Sequence, residues 1–207
     1  MLSRPDLHST ALVTSVRMTK AARLHVCFAG GGTGAWHVER MSAVMGPPLP
    51  AVDRVAVRED QNLPVPPGSP WLLRGVTSYE RYVQRRERSA LVERQPALGR
   101  PEATCAALIP IRKSAAWWEL TQDERRAIFE ERSGHITTGL AYLPAIARDL
   151  YHGRDLGEPF DFLTWFEYAR ASSELFDELI GKLRATEEWA YVEREVDIRL
   201  TLHVETS

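Results

Sequence analysis

The sequence predicts an α+β fold whose second half is a ferredoxin-like β-α-β-β-α-β unit. The first observation is the alternation in YVEREVDIRLTLHV, residues 191–204, where apolar side chains nearly fill one face of a strand. The second is the run DFLTWFEYA, rich in the aromatic residues that strands favour. The third is SSELFDELIGKLRA, which places a set of apolar side chains on one helical face: Leu175, Phe176, Leu179, Ile180 and Leu183. These stretches are the last three elements of the unit.

The first three elements of the unit precede them along the chain. ATCAALIPIRKS predicts a strand, and a capping box of Thr121 with Glu124 begins a helix through QDERRAIFEERSGHITTGLAYL. Pro144 ends that helix, because proline cannot donate to the preceding turn and disfavours helix at the residue before it. AIARDLYHG then predicts a strand, followed by turn signals in GRDLGEP. Residues 101–207 are therefore expected to form the complete unit.

Residues 21–100 predict a truncated, less helical copy of the same unit, and residues 1–20 a disordered extension. Residues 23–45 are expected to form extended or mixed structure, interrupted by GGGTG. This glycine run fits the G-x-G-x-x-A pattern of dinucleotide-binding turns. The prolines that follow exclude the strand–helix–strand alternation that such a site requires, so a tight hairpin turn is expected instead.

A proline-rich linker is expected over residues 46–70, which hold more than half of the 13 prolines in the chain. WLLRGVTS, directly after it, predicts a short strand. YERYVQRRERSALVERQ predicts a charged amphipathic helix, and its basic residues are expected to form a solvated face.

Composition excludes several classes of partner. The 26 basic and 28 acidic side chains give a formal net charge of -2, which does not favour nucleic acid or an anionic membrane. The two cysteines lie far apart without CxxC spacing, as expected for reduced thiols. No apolar run approaches the roughly 20 residues of a membrane-spanning helix, and the start lacks a signal-peptide core. We therefore expect a cytoplasmic protein.

The titratable residues point to few kinds of chemistry. The six histidines make no HExxH, H-x-H or histidine–carboxylate cluster, so a closed zinc site is not expected. No GxSxG motif occurs. A single histidine can still hold a metal that arrives in a macrocycle supplying four nitrogens. In isolation, a histidine such as His135 is more often an ordinary residue of a helix surface.

Long motifs resemble those of the chlorite dismutases, in particular their short-chain, dimeric branch. They are RKSAAWWELTQDERRAIFEERSGHI, LAYLPAIARDLYHGRDLGEPFDFLTWFEYA and LRATEEWAYVEREVDIRL, and the resemblance is dense from about Trp71 to Leu200. It implies a ferredoxin-like dimeric α+β barrel that binds haem b in its C-terminal half. It also implies a homodimer whose substrate is the small anion chlorite.

By motif position, the resemblance implies that His135 is the proximal ligand of the haem iron and Arg148 the distal catalytic arginine. Glu188 corresponds to the carboxylate that accepts a hydrogen bond from the proximal histidine, although the adjacent Glu187 could serve instead. The other matching positions are Lys113 beside that pair, Trp117 and Trp118 beside the haem, and Leu150, Thr164 and Phe166 lining the distal pocket.

The implied reaction converts chlorite to chloride and dioxygen through a ferryl group and hypochlorite. It sets a geometric demand, since an unbroken helix would separate His135 from Arg148 by about 20 Å. The helix must end between them and the chain turn back. The alternatives are a related haem peroxidase, a coproheme decarboxylase, a haem-binding or sensor protein, and a dimeric binding module without cofactor. The coproheme decarboxylases that share this resemblance lack the distal arginine, so the presence of Arg148 argues against that alternative.

Overall fold

Eight strands form one closed, antiparallel barrel in the order β1-β3-β2-β8-β5-β7-β6-β4. The structure, a computed structural model of the chain, describes residues 25–59, 67–77 and 82–202. The extension expected at 1–20 lies outside the described residues. The strands are β1 (His25–Gly31), β2 (Trp36–Met45), β3 (Arg54–Arg58), β4 (Trp71–Val76), β5 (Cys105–Lys113), β6 (Ile146–His152), β7 (Phe162–Tyr168) and β8 (Val192–Leu202). Together with the helices, they confirm a mixed α+β fold.

The helices are concentrated in the second half of the chain. They are α1 (Arg85–Arg94), α2 (Ala115–Glu119), α3 (Gln122–Arg126), a π-helical segment (Ala127–Arg132), α4 (His135–Ala141) and α5 (Ser173–Arg184). Short 3₁₀ turns occupy Arg154–Leu156, Arg170–Ser172 and Glu187–Tyr191. Among the described residues, no helix is long and apolar enough to cross a membrane.

Alternation along the strands divides the core into two parts. The barrel interior is filled by one set of buried apolar side chains, which includes Phe28, Trp165 and Ile198. The second set lies on the outer face of β5, β6 and β7, where Ile109 and Phe166 pack with Phe176 of α5. Because successive side chains of a strand point to opposite faces, each of these strands serves both parts.

Helix α5 also covers a buried polar cluster on β8. Glu195, Asp197 and Arg199 are almost fully buried. Arg184 of α5 donates to Glu195 Oε1 at 2.5 Å and to Asp197 Oδ2 at 2.9 Å, and Arg199 Nε donates to Asp197 Oδ1 at 2.5 Å. Buried charges are tolerated when they are paired in this way.

Two expectations for the first half are wrong. The GGGTG run does not close a hairpin, because β1 pairs with β3 and β4 while β2 pairs with β3 and β8. The proline-rich segment is not only a linker, since β3 lies inside it and buries Val55 completely. Prolines at both ends of the segment leave its RVAVR stretch free to donate backbone hydrogen bonds on both sides.

The helix predicted from Thr121 to Pro144 is interrupted. It begins with the expected capping box of Thr121 and Glu124, continues as the π-helical segment, and stops at Gly134, whose φ of 60° is left-handed. Glycine adopts this conformation without steric cost, so the chain changes direction there. Helix α4 then runs only to Ala141, in agreement with the stop expected from Pro144. Helix α2 is an additional element that the sequence did not reveal.

The other described elements agree with prediction. β4, β5, β6, β7, α5 and β8 all lie within the stretches assigned to them. The described part of the charged helix is α1; residues 79–81 of that stretch lie outside the described residues. The division of the chain into halves near residue 101 stays a prediction.

Candidate functional site

Arg148 and the helix that begins at His135 are brought together by a turn in the chain. Helix α4 ends at Ala141 and β6 begins at Ile146, so the intervening residues reverse direction. The guanidinium of Arg148 then lies beside Gly139, and a Cβ built on Gly139 would be 3.7 Å from its Cζ. Gly139 is one helical turn beyond His135. The expected fold-back between the two residues is therefore present.

Hydrogen bonds from the segment after α1 hold this turn. Arg100 donates to the carbonyl oxygens of Pro144 and Ala145, both at 3.2 Å. Gln95 Nε2 donates to the carbonyl oxygen of Arg148 at 2.6 Å. The backbone on both sides of the start of β6 is thus fixed by side chains distant in sequence.

Partly buried His135 and the buried side chains of Glu188 and Lys113 form a chain of polar groups. His135 Nδ1 lies 2.7 Å from Glu188 Oε2, and Lys113 Nζ donates to Glu188 Oε1 at 2.8 Å. Lys113 Nζ also donates to the carbonyl oxygen of Glu188 at 3.2 Å. Glu187 instead pairs with Arg132 at 2.8 Å, where both side chains are about half exposed. The geometry therefore favours Glu188 over Glu187 as the partner of His135.

The electrostatics of this chain keep the carboxylate charged. Burial alone would raise the pKa of Glu188, but the charges of His135 and Lys113 and their hydrogen bonds lower it to about 2. Burial lowers the pKa of Lys113, and the same carboxylate opposes that shift. The ammonium group of Lys113 also lies 4.7 Å from the ring centroid of Trp117. An anionic Glu188 accepts a hydrogen bond from Nδ1–H, which makes the imidazole a stronger ligand through Nε2.

The outer face of β6 and β7 brings the expected distal residues side by side. Arg148 lies opposite Phe166, and Leu150 lies opposite Thr164. Directly opposed residues in an antiparallel pair share one face of the sheet. Phe166 is buried, whereas Leu150 is 45 % exposed. The face thus combines one cation and one hydroxyl with an apolar surface that is open for a ligand.

The two adjacent tryptophans have different surroundings. Trp117 is buried, and its Nε1 has no hydrogen-bond partner among the described residues. Trp118 stacks on Phe162 with ring centroids 6.0 Å apart, and its Nε1 donates to Asp161 at 3.3 Å. The guanidinium of Arg154 also contacts the ring of Trp118, with its Cζ 4.0 Å from the ring centroid. Trp117 therefore lies with Lys113, and Trp118 lies with Asp161 and Arg154.

These residues fit a haem held by one protein ligand. His135 commits Nδ1 to Glu188, which leaves Nε2 for a metal. The unpaired, buried N–H of Trp117 can donate to an anionic group such as a carboxylate of the cofactor. The exposed side chain of Leu150 supplies apolar surface that a flat apolar ring would cover.

Three further residues, which contact His135, Lys113 or the first turn of α4, were not singled out from the sequence. Phe129 stacks on the ring of His135 with centroids 4.3 Å apart. Buried Asp161 accepts hydrogen bonds from the backbone N–H of Lys113 at 2.7 Å and from Arg154 at 3.2 Å. Glu130 binds the first turn of α4. No local pattern marks Glu130 as a helix cap, because it stands four residues before Gly134, the N-cap of α4.

Comparisons with known proteins identify the family of the chain. A sequence model of the family described as chlorite dismutase matches residues 67–204. The crystal structure of a dimeric chlorite dismutase from Nitrobacter winogradskyi is 59% identical in sequence, with a TM-score of 0.81 over 86% of this chain and 99% of that chain.

More distant relatives are also chlorite dismutases. The enzyme from Candidatus Nitrospira defluvii, solved in complex with imidazole, is 30% identical with a TM-score of 0.52 over 63% of this chain and 54% of that chain. A curated chlorite dismutase from Ideonella dechloratans is 39% identical over 62 residues, which span 30% of this chain and 20% of that protein. From the family match and the similarity to the Nitrobacter structure, this chain belongs to the chlorite dismutase family.

Proposed function

We propose that this protein binds haem b and converts chlorite to chloride and dioxygen. The observation that carries the proposal is the placement of Arg148 next to the helix of His135, with Glu188 behind the imidazole. Membership of the chlorite dismutase family supports it. The similarity to a dimeric relative supports a homodimer as its functional form.

His135 would hold the haem iron through Nε2, and the iron would supply the redox chemistry of the reaction. Glu188 would accept the Nδ1 proton of His135 in a charge-assisted hydrogen bond and fix the orientation of the ring. Lys113 would keep Glu188 in place, because their charges neutralise each other in a site where both are buried.

Arg148 would attract and orient the chlorite anion. Its guanidinium is always charged and presents a planar set of donors, which suits a small oxyanion. The apolar side chains of Leu150 and Phe166 would exclude water, so that the positive charge acts in a medium of low dielectric constant. Thr164 would add one hydroxyl to this wall. The same charge would retain the oxidised chlorine species until dioxygen forms and so protect the protein from oxidation.

Two finer expectations accompany this proposal. We infer that the strand order β8-β5-β7-β6 of the second half represents a ferredoxin-like unit, and that the first half is a reduced copy of it. The cytoplasmic location stays a prediction.

An oxygen electrode tests the activity directly. The haem-loaded protein should release dioxygen when chlorite is added, and Arg148→Ala should bind haem but release less dioxygen per chlorite and bleach faster. Arg170→Ala, which removes an exposed arginine, serves as the matched control and should behave like the unaltered protein. Oxidation of a dye by hydrogen peroxide without dioxygen from chlorite would indicate a haem peroxidase instead.

A further inference from the structure

Helix α4 begins without a capping side chain of its own. Its N-cap is Gly134, which is left-handed and has no side chain to accept a hydrogen bond from the first turn. The helix has only seven residues, His135–Ala141. Helices this short are only marginally stable without other contacts, because the free-energy cost of nucleation exceeds the gain from their few internal hydrogen bonds. His135 is its first residue, so its orientation depends on how that turn is held.

Glu130 supplies the missing acceptors. Its Oε2 accepts from the backbone N–H of Ile136 at 2.5 Å, and its Oε1 accepts from the backbone N–H of Thr137 at 3.1 Å. The hydroxyl of Thr137 donates to the same Oε1 at 2.5 Å. One carboxylate thus binds three donors in the first turn of α4, and its negative charge lies at the positive end of the helix dipole.

The π-helical segment places Glu130 there. Residues 127–132 form π-type hydrogen bonds, which enclose one more residue than those of an α-helix, and left-handed Gly134 then changes the chain direction. Ser133, between them, accepts a hydrogen bond from the backbone N–H of Glu188 at 3.1 Å. The same short segment therefore orients both partners of the His135–Glu188 pair.

We propose that Glu130 is a positioning residue that fixes His135 for its hydrogen bond to Glu188. The inference rests on the proposed role of His135 as the haem ligand. Loss of the Glu130 carboxylate would leave the first turn of α4 without its acceptors, and the imidazole would sample orientations in which Nδ1 is not directed at Glu188.

The experiment compares Glu130→Ala and Glu130→Gln with a matched control, Glu131→Ala. Glu131 is the next residue, carries the same charge and is exposed. Three quantities are measured: hydrogen exchange of the peptide covering α4 in the haem-free protein, the iron–histidine stretching frequency of the ferrous haem protein, and the rate of haem transfer to apomyoglobin.

Glu130→Ala should raise exchange in α4 and the haem transfer rate by about fivefold, the typical effect of losing a helix N-cap. It should also lower the iron–histidine frequency, because the hydrogen bond to Glu188 weakens. Glu130→Gln, which keeps an acceptor oxygen but loses the charge, should show about twofold effects. Glu131→Ala should match the unaltered protein in all three.

An unchanged iron–histidine frequency and unchanged exchange in Glu130→Gln and Glu130→Ala would overturn the positioning role. If Glu130→Ala does not fold, Glu130→Gln alone decides by the same two measurements. Failure of the unaltered protein to bind haem would instead refute the proposed function. Because exchange is measured without haem, it tests the cap of α4 in either case.

Discussion

The guanidinium of Arg148 faces Gly139 so closely that a methyl group built there would lie 3.7 Å from its Cζ and both terminal nitrogens. This distance is an ordinary van der Waals contact, so Gly139→Ala should be accommodated without moving the arginine. Alanine should also raise the free energy of unfolding by about 0.5–1 kcal/mol, because glycine is a poor helix former. Urea denaturation measures the gain, and dioxygen yield per chlorite should be unchanged.

A larger side chain at position 139 distinguishes the effect on the stability of α4 from the effect on the position of Arg148. Gly139→Leu should displace the guanidinium and lower the dioxygen yield, as removal of Arg148 would. Gly181 of α5, with nothing within 4 Å of a built Cβ, is the matched position; Gly181→Leu should leave the yield unchanged. A full yield from Gly139→Leu would show that the position of Arg148 does not matter for the reaction.

His135→Ala should abolish normal haem binding. We expect the Soret band of the haem-loaded protein to be lost or shifted, since His135 is the proposed iron ligand and its Nδ1 lies 2.7 Å from Glu188 Oε2. Absorption spectroscopy after addition of haem measures this. His37→Ala removes an exposed histidine of β2 and should leave the spectrum intact. A normal Soret band in His135→Ala would rule out the ligand assignment.

Glu188→Ala should destabilise the haem-free protein strongly. The substitution leaves the ammonium group of Lys113 buried without its carboxylate partner, and breaking a buried ion pair in this way costs about 3–5 kcal/mol. Glu187→Ala removes a half-exposed pair with Arg132 and should cost less than about 1 kcal/mol. Chemical denaturation of both variants compares the costs. Equal losses would contradict the assignment of Glu188 rather than Glu187 to the buried chain.

The buried cluster under α5 should make stability depend on acid pH. Burial would raise the pKa of Asp197, but hydrogen bonds and charges from Arg199 and Arg184 leave it below the ordinary value of 3.8. The unfolded chain therefore takes up the proton first as pH falls. The stabilisation is present in full above the ordinary pKa and is lost as the pH falls through the lower pKa of the folded state.

Denaturation of the unaltered protein and Asp197→Asn between pH 7 and acid pH checks this expectation. The free energy of unfolding should fall less steeply with acid in Asp197→Asn than in the unaltered protein. Glu174→Gln, at an exposed position of α5, should keep the original slope. A slope unaffected by Asp197→Asn would show that this carboxylate is not a source of the acid sensitivity.

Patterns of apolar and polar residues along the chain predicted the strands and helices whose burial follows from their own sequence. Alternation identified β7 and β8, because each strand buries one face in the barrel. Strand β3 was missed because its stability comes from partners distant in sequence: Val55 pairs with Gly30 of β1 and with Trp36 of β2. The flanking prolines predicted a linker over RVAVR, and no local pattern in the sequence indicates which strands this stretch pairs with.

The candidate site was predictable to a different extent. Pro144 indicated the fold-back that brings Arg148 to the helix of His135. The break at Gly134 was missed, since an isolated glycine within a helical pattern is often tolerated. The contacts of Glu130 depend on the π-type hydrogen bonds of residues 127–132, and a regular helical projection places that side chain elsewhere. The catalytic roles of these residues stay predictions.

Because the barrel closes through pairing of β2 with β8, the stability of the C-terminal half depends on the N-terminal half. β8 pairs with β2 from Trp36 opposite Leu202 to Met45 opposite Glu195. A fragment that starts near residue 101 would lose β2 and expose the backbone donors and acceptors along that side of β8. Such a bare strand edge recruits other chains, so the fragment would aggregate or exchange strands with its neighbours instead of persisting as a monomer.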